Sequence, residues 1–360
     1  MKKKSLKALG ILMAGIMSLG MLAGCGGSSS SSAAPAAEST AAASTAASTA
    51  AAESTAPAAA SDVSANLTMG TGGESGTYYA FGGVLANYIG QNTGVKINVV
   101  SSGGSAANIS DIVLNKTVEL ATVQSDVMTY AYNGTNSFAE TGAMSDFRVI
   151  GGLYAETVQM VTCNPDIKSV ADFKGKNVCV GDVGSGTYYN TIDILTAYGL
   201  TLDDITPIYQ SFGDSAESLK DGKIDVAFIC AGAPTTAVTD LATSKPVYLV
   251  SIDDEHMKKL LADCPWYASL TIPGGTYQGF DEDAVTITVK ATLIASADMD
   301  EDVAYTITKT IYDGAADIAA LHGKGAELSL EFATDGIAVP FHAGAAKYFA
   351  ENGITVETAE

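Results

Sequence analysis

Two stretches of the chain decide the fold, and both contain the pentapeptide SGTYY. The first is MGTGGESGTYYAFGGVLANYI, residues 69–89, and the second is VGDVGSGTYYNTIDILTAYGL, residues 180–200. In each stretch an apolar run leads into glycines and then into apolar residues with helical spacing. Each copy therefore predicts a strand, a glycine turn and a helix that begins at Thr77 or at Thr187.

A helix that begins in this way can bind an anion. Glycines allow a ligand to approach the backbone closely, the first helical amides have no partner within the helix, and the helix dipole adds partial positive charge. The alternative is an ordinary helix start in which a hydroxyl caps the free amides. The candidate residues are Ser75, Gly76, Thr77, Ser185, Gly186 and Thr187.

Three further turns of this kind precede predicted helices: SSGGSAAN at 101–108, VQSD at 123–126 and CAGAPTT at 230–236. In open α/β sheets, ligands bind outside the carboxyl ends of the strands. If two lobes face each other, these turns can therefore line one cleft. Asn108 and Gln124 would add side-chain amides to it.

Short apolar runs alternate with helical patterns over most of the chain, which predicts an α/β fold with parallel sheets covered by helices. The roughly 300 residues after Asn66 exceed what one core usually serves, so we expect two lobes. The final third holds one long strand pattern and one long helix pattern, and the helix pattern covers residues 301–323. We expect lobe I in residues 66–155 and 285–360 and lobe II in 156–284, joined by hinge strands.

The first 65 residues predict export and anchoring. Four lysines within residues 2–7 precede an uncharged apolar run and then LAGC, residues 22–25, which resembles a bacterial lipobox. We expect residues 1–24 to be a lipoprotein signal peptide and Cys25 to be lipidated; the alternative is a membrane-spanning anchor, for which the run is short. Residues 25–65, rich in Ala, Ser and Thr, predict a disordered tether.

The charge excludes some partners and restricts how an anion could be bound. The formal net charge is −21, so nucleic acid and anionic lipid are not expected partners. The chain has a single arginine, Arg148, which we expect in a surface or hinge ion pair. Backbone amides, hydroxyls and side-chain amides would then hold an anion, because at most one guanidinium is available.

Enzyme chemistry has little support in the sequence. The three histidines fall on surface or helix-end positions, neither glycine turn is a nucleophile elbow, and no Walker loop occurs. We expect no cofactor, and no metal site because no CxxC or His-rich spacing occurs. Cys163, Cys179 and Cys230 lie in apolar runs typical of core residues, with a Cys163–Cys179 disulfide as the alternative.

The motifs together resemble the TAXI family of solute-binding proteins, the receptor subunits of TRAP-type secondary transporters. The resemblance covers nearly all of residues 66–360 and includes SSGGSAANI, ELATVQSD, GGLYAETVQ, GKIDVAFICAGAPTTAV, IPGGTYQG and FHAGAAKYFAENGI besides the two SGTYY stretches. It implies a type II periplasmic-binding fold and ligand roles for Ser75, Thr77, Tyr78, Ser105, Asn108, Gln124, Tyr154, Glu156, Ser185, Thr187, Gly232 and Tyr277.

The resemblance also implies a function. A small organic anion, such as a dicarboxylate, a 2-oxoacid or an acidic amino acid, would be captured outside the cytoplasm and passed to a membrane permease. We expect a monomer that is not an enzyme. The rivals are the same fold serving an ABC importer or a sensor kinase, and an exported hydrolase.

Overall fold

The computed structural model describes residues 63–359. The predicted signal peptide, the lipidation site at Cys25 and nearly all of the predicted tether lie outside these residues. The tether was expected to reach residue 65, but the first strand begins at Ser64. Its residues up to Gly70 pair in unbroken parallel register with Gly94–Val100, which brings Ser64 and Ala65 into the sheet.

The strands are β1 Ser64–Gly70, β2 Gly94–Val100, β3 Leu120–Gln124, β4 Phe147–Thr162, β5 Asn177–Cys179, β6 Thr206–Ile208, β7 Val226–Ala231, β8 Tyr248–Leu249, β9 Ala268–Ile272 and β10 Ala284–Ser296. The α-helices are α1 Thr77–Asn92, α2 Ser105–Ser110, α3 Ser125–Asn133, α4 Thr187–Ala197, α5 Phe212–Lys220, α6 Thr236–Ala242, α7 Asp254–Asp263, α8 Glu301–Asp313, α9 Ala315–Leu321, α10 Leu330–Thr334 and α11 Ala343–Glu351.

The strands follow the order β2-β1-β3-β10-β4-β7-β5-β6, with β8 beside β4 and β9 beside β10. The β1–β2, β1–β3, β5–β6 and β5–β7 pairs are parallel, while β4 and β10 run antiparallel to each other and to their other neighbours. The parallel strands are linked by helices, as the alternating pattern predicts.

Two long strands join two hydrophobic cores. On β4, Tyr154 packs in the first core and Val158 in the second; on β10, Ala291 packs in the first and Val289 in the second. We refer to β1–β3, α1–α3 and α8–α11, which surround the first core, as lobe I. The elements between β4 and β10 form lobe II. This is the predicted type II periplasmic-binding fold, with two α/β lobes joined by hinge strands; the residue limits given above stay a prediction.

Two expected elements differ in the structure. The patterns FRVIGGLY and TVQMVTC predict two strands, but residues 147–162 form the single strand β4, because β10 pairs along most of its length. The long helix expected over residues 301–323 is divided at Gly314 into α8 and α9. A Cβ at Gly314 would overlap the ring of Tyr88 on α1, so the close packing requires glycine there.

The cysteines and the single arginine also have defined surroundings. Within residues 63–359 the cysteines Cys163, Cys179, Cys230 and Cys264 are free, so the alternative Cys163–Cys179 disulfide is not formed. Cys179 and Cys230 are buried as predicted, whereas Cys163 is only partly buried. Arg148 was expected in an ion pair, but its guanidinium donates to the carbonyl oxygens of Ser145 and Phe147. Both carbonyls lie within three residues along the chain, so this arginine stabilises a local turn. No helix within residues 63–359 is long and apolar enough to span a membrane.

Candidate functional site

A cavity lies between the two lobes, where the two SGTYY turns meet. The cavity volume is about 50 Å³, and the space around it that protein atoms leave unfilled, open solvent included, is about 500 Å³. The sequence-predicted residues that line it are Gly76, Thr77, Tyr78, Ser105, Gln124, Glu156, Ser185, Gly186 and Thr187. The structure therefore brings residues from both turns, and from α2, β3 and β4, to a single cavity.

The helices α1 and α4 begin at this cavity without side-chain caps. Gly76 and Gly186 are the residues that precede them, and neither start has a side-chain hydrogen bond to its free amides. By contrast α7, α8 and α11 are capped by Asp253, Asp300 and His342. Since the first amides of a helix have no partner within it, the amides at the starts of α1 and α4 remain available to a bound group.

At two other predicted anion-binding turns, the amides at the helix start donate to backbone carbonyls of the opposite lobe. The amides of Ala106 and Ala107, at the start of α2, donate to Gly184 O at 3.0 and 3.3 Å. The amide of Ala237, at the start of α6, donates to Ser75 O at 3.2 Å. These helix starts therefore bind the other lobe rather than a ligand, and the lobes are closed on each other.

Three polar atoms near the cavity have no hydrogen-bond partner among the described residues: Tyr78 Oη, Ser185 Oγ and Glu156 Oε2. Glu156 is 1% exposed. Burial raises its pKa to about 8, although the Tyr78 hydroxyl and the Lys324 ammonium partly lower it. Glu156 is thus mostly neutral at pH 7 and can donate a hydrogen bond to an oxygen atom of a ligand.

Lys324 lies just behind the cavity. Its ammonium pairs with Glu327 at 2.6 Å and lies 5.8 Å from the centre of the Tyr154 ring. Its Cε packs close to Gly232, where a Cβ would be only 2.6 Å away. None of the described residues that line the cavity is Lys, Arg or His. Lys324 therefore influences the site through the electrostatic field of its ammonium group, without lining the cavity.

Five sequence-predicted residues do not line the cavity. Ser75 faces an outer groove, and Tyr154 is buried edge-to-face against Phe81. Asn108 donates to Thr71 O at 2.6 Å and to Thr122 O at 2.7 Å, so its amide holds the ends of β1 and β3 together. A ligand contact was expected of each; their positions indicate roles in packing and in shaping the turns.

The other two residues outside the cavity organise the CAGAPTT turn. Gly232 O accepts hydrogen bonds from Thr77 Oγ1 at 3.1 Å and from Thr235 Oγ1 at 3.0 Å. The Tyr277 hydroxyl donates to Gln159 and accepts from the amide of Thr235 at 2.9 Å. Both were expected to touch a ligand, whereas here they hold the turn that meets α1.

Sequence reasoning missed about half of the lining residues. These are Gly72, Gly73, Ser102, Gly103, Gly104, Asp182, Ser211, Phe212, Cys230 and Ala231. Most stand in glycine turns that the motifs contain, so counting whole turns rather than hydroxyls and amides would have found them. Ser211 and Phe212 are different: no motif marks them, and only the placement of α5 brings them to the cavity.

The described residues show no metal centre, since no group of three or more His, Cys, Asp or Glu side chains in 63–359 is arranged to hold an ion. Nor do they show a nucleophile with a base: Ser185 Oγ has no hydrogen-bond partner within that range, and the cavity lining contains no histidine. A serine needs a neighbouring base to act as a nucleophile.

Several solved structures are similar to this chain. The alkanesulfonate-binding protein SsuA from Xanthomonas axonopodis pv. citri is 17% identical over 80% of this chain and 90% of its own, with a TM-score of 0.44. A putative L-cystine ABC transporter from Listeria monocytogenes is 14% identical over 74% and 98%, with a TM-score of 0.45. An amino acid ABC transporter substrate-binding protein from Streptococcus pneumoniae, bound to L-arginine, is 14% identical over 73% and 95%, with a TM-score of 0.43.

A family model matches a larger and continuous part of the sequence. The match extends over residues 69–353, from the end of β1 to just past α11, and so includes both lobes and both SGTYY turns. The chain belongs to the NMT1-like family.

Proposed function

We propose that the protein is an extracytoplasmic solute-binding receptor of the TAXI type, which captures a small organic anion and delivers it to the permease of a TRAP transporter. The observation that carries the proposal is the pair of uncapped helix starts, one per lobe, that face one cavity between the lobes. A dicarboxylate, a 2-oxoacid or an acidic amino acid would present its carboxylate to these amides.

The cavity can bind an anion without a cation in its lining. The free amides of α1 and α4 carry the positive ends of two helix dipoles, which act at contact distance. Thr187, Ser105 and Ser185 supply hydroxyls around them. Neutral Glu156 adds a donor at the hinge-strand side of the cavity. A hydrogen bond donated by such a group is worth about 0.5–1.5 kcal/mol to a neutral acceptor and about 1.5–3 kcal/mol to a charged one.

The proposed cellular setting follows from the first 65 residues. Export by the signal peptide and lipidation of Cys25 would anchor the receptor to the outer face of the cytoplasmic membrane, and the tether would let the folded lobes reach the permease. The receptor would act as a monomer. Metabolic labelling with an alkyne fatty acid, with Cys25→Ser as the matched control, tests the anchor.

Calorimetry tests the ligand assignment. The full-length chain would be titrated with dicarboxylates, 2-oxoacids, acidic amino acids and short alkanesulfonates. We expect one class to bind with micromolar or better affinity and Thr187→Ala to weaken that binding. If every member of the panel fails to bind a folded sample, the anion assignment is wrong.

The transporter class needs a separate measurement. The same cavity would serve an ABC importer equally well, because capture is common to both. Uptake in vesicles with the cognate permease discriminates: a TRAP transporter needs an ion gradient, and an ABC importer needs ATP inside. Uptake that persists after the gradient is collapsed but stops without ATP would replace the TRAP assignment with the ABC alternative.

A further inference from the structure

A second polar cluster links the lobes beside the cavity, and its central residue, Asp126, has no role in the site described above. Asp126 stands in the first turn of α3 and is 1% exposed. Its Oδ2 accepts a hydrogen bond from Asn190 Nδ2, on α4 of lobe II, at 3.2 Å. Gln124, which lines the cavity, donates to Asn190 Oδ1 at 2.9 Å and reaches Asp126 Oδ1 at 3.4 Å.

This cluster exists only when the lobes are together. Asp126 and Gln124 belong to lobe I, whereas Asn190 and Tyr267 belong to lobe II. Asn190 also donates to the Tyr267 hydroxyl at 3.0 Å, and that hydroxyl donates to Asp193 at 2.7 Å. Opening the cleft would therefore separate Asp126 from Asn190 and return its carboxyl to water.

Amide N–H groups donate to Asp126, but no cation pairs with its negative charge among the described residues. The titratable side chains whose charges couple to it are Asp193 on α4, Glu156 on β4, Cys230 on β7, Cys264 after α7, Tyr267 before β9 and Tyr130 on its own helix. No Lys, Arg or His within residues 63–359 forms an ion pair with it. A buried carboxylate without a cation costs several kcal/mol unless it takes up a proton.

The size of the effect follows from burial. Burial, with the nearby charge of Asp193 as a smaller contribution, raises the pKa of Asp126 to about 7, although the backbone amide of Val127 and the Asn190 amide partly lower it. A solvent-exposed aspartate has a pKa near 3.9. The closed form therefore binds a proton that the open form releases at neutral pH.

We propose that Asp126 is a proton-binding positioning residue: one of its oxygens accepts the hydrogen bond from Asn190 across the closed cleft, the other takes up a proton as the cleft closes, and its ionisation opposes closure. The inference rests on the proposed function, because closure is the step that captures a ligand. The sign is set by linkage: above about pH 8 the full penalty is present and constant. As the pH falls from about 7 towards 4, the closing equilibrium gains up to about tenfold per pH unit.

The chain contains a built-in probe of this contact. Its single tryptophan, Trp266, lies next to Tyr267 in lobe II, and its ring centre is 5.4 Å from that of Tyr130 on α3 of lobe I. It is 39% exposed, so separation of the lobes would change its surroundings. Tryptophan fluorescence and small-angle scattering can thus follow closure without any ligand.

The experiment compares the ligand-free full-length chain with three variants between pH 5.5 and 8.5. We expect the wild type to become more compact, with a parallel change in Trp266 fluorescence, as the pH falls. Asp126→Asn should remove this dependence. Asp263→Asn, an exposed acid three residues from the probe, should titrate like the wild type. Glu255→Gln, which changes an exposed acid in the first turn of α7, is a second control and should also titrate like the wild type.

Two results would overturn the proposal: a wild type whose compactness does not change over this range, or an Asp126→Asn chain that titrates as the wild type does. If Asp126→Asn fails to fold, Asp193→Asn decides. Removing that neighbouring charge should shift the transition to lower pH, and an unshifted midpoint would sink the idea. No ligand is used, so a failed anion panel tests the proposed function separately.

Discussion

The two SGTYY turns share five residues and begin equivalent helices, yet their side chains do different work. In the first turn Ser75 lies outside the cavity, and the Thr77 hydroxyl is engaged with Gly232 of the opposite lobe. In the second, Ser185 and Thr187 both line the cavity. A common local sequence therefore sets where each helix begins. The tertiary structure decides where each side chain points and the backbone conformation of the preceding glycine, which is extended at Gly76 and helical at Gly186.

The tyrosines divide in the same way. Tyr78 is buried, with its hydroxyl directed at the cavity and close enough to Glu156 to affect its pKa. Tyr188, its counterpart, is half-buried at the rim, where its ring packs against Tyr189 and Tyr209. The two turns make the same kind of contact with the opposite lobe. In each turn a backbone carbonyl, Ser75 O or Gly184 O, accepts a hydrogen bond from the start of a helix in the other lobe.

The largest expected difference concerns the glycine before each helix. A Cβ at Gly186 would overlap the carboxamide of Gln124 and break its bond to Asn190, whereas at Gly76 the nearest atoms are 3.2 Å and 3.3 Å away. Overpacking of this kind costs about 1–3 kcal/mol. We expect Gly186→Ala to weaken ligand binding roughly thirtyfold and Gly76→Ala less than fivefold, measured by calorimetry. Equal losses would contradict the asymmetry.

The threonines should separate ligand binding from closure. Thr187→Ala removes a hydroxyl from the cavity, so affinity should fall by about 2 kcal/mol with no change in the melting temperature. Thr77→Ala removes the hydrogen bond between the lobes, so the free energy of lobe closure should become less favourable by about 1 kcal/mol. Scattering of the ligand-free protein provides the check: only Thr77→Ala should lower the closed fraction. Unchanged affinity in Thr187→Ala would make the second turn a structural helix start.

The tyrosines offer a smaller effect with a pH signature. Tyr78→Phe should cost about 1 kcal/mol of ligand affinity. It should also raise the pKa of Glu156, because the Tyr78 hydroxyl lowers that pKa in the wild type. If neutral Glu156 donates to the ligand, affinity falls as the pH rises through about 8, and the variant shifts this fall to higher pH. Tyr188→Phe, the matched control, should leave the affinity–pH curve in place.

The serines should show the smallest difference. Ser185 Oγ is buried without a partner, so Ser185→Ala should lower ligand affinity by up to about 1 kcal/mol and leave stability unchanged or slightly higher. Ser75→Ala alters a side chain outside the cavity and should stay within about 0.5 kcal/mol in both measurements. Thermal unfolding measures the stability of both variants, and calorimetry measures their ligand affinity. A larger loss of affinity in Ser75→Ala than in Ser185→Ala would place Ser75, and not Ser185, at the ligand.

Much of the fold could be predicted because local patterns determine it. Periodicity and glycine turns predict nearly every helix and strand. The sequence failed where packing decides: Gly314 divides one helical pattern because α1 lies too close for a side chain there. For the site, both predicted SGTYY turns reach the cavity, but only some of the predicted residues line it, and their ligand contacts stay a prediction. Asn108 is of a residue type that often contacts ligands, yet its side-chain amide donates to two backbone carbonyls.

The sequence by itself determined the two helix starts, because glycine content, apolar periodicity and the order of residues are local properties. The tertiary structure alone decided which helix amides stay free. At α2 and α6 a carbonyl from the other lobe occupies them, and at α1 and α4 none does. It also placed Asp126 and Asn190, 64 residues apart, in one buried cluster. Contacts between distant segments depend on how the lobes close, which no local pattern encodes.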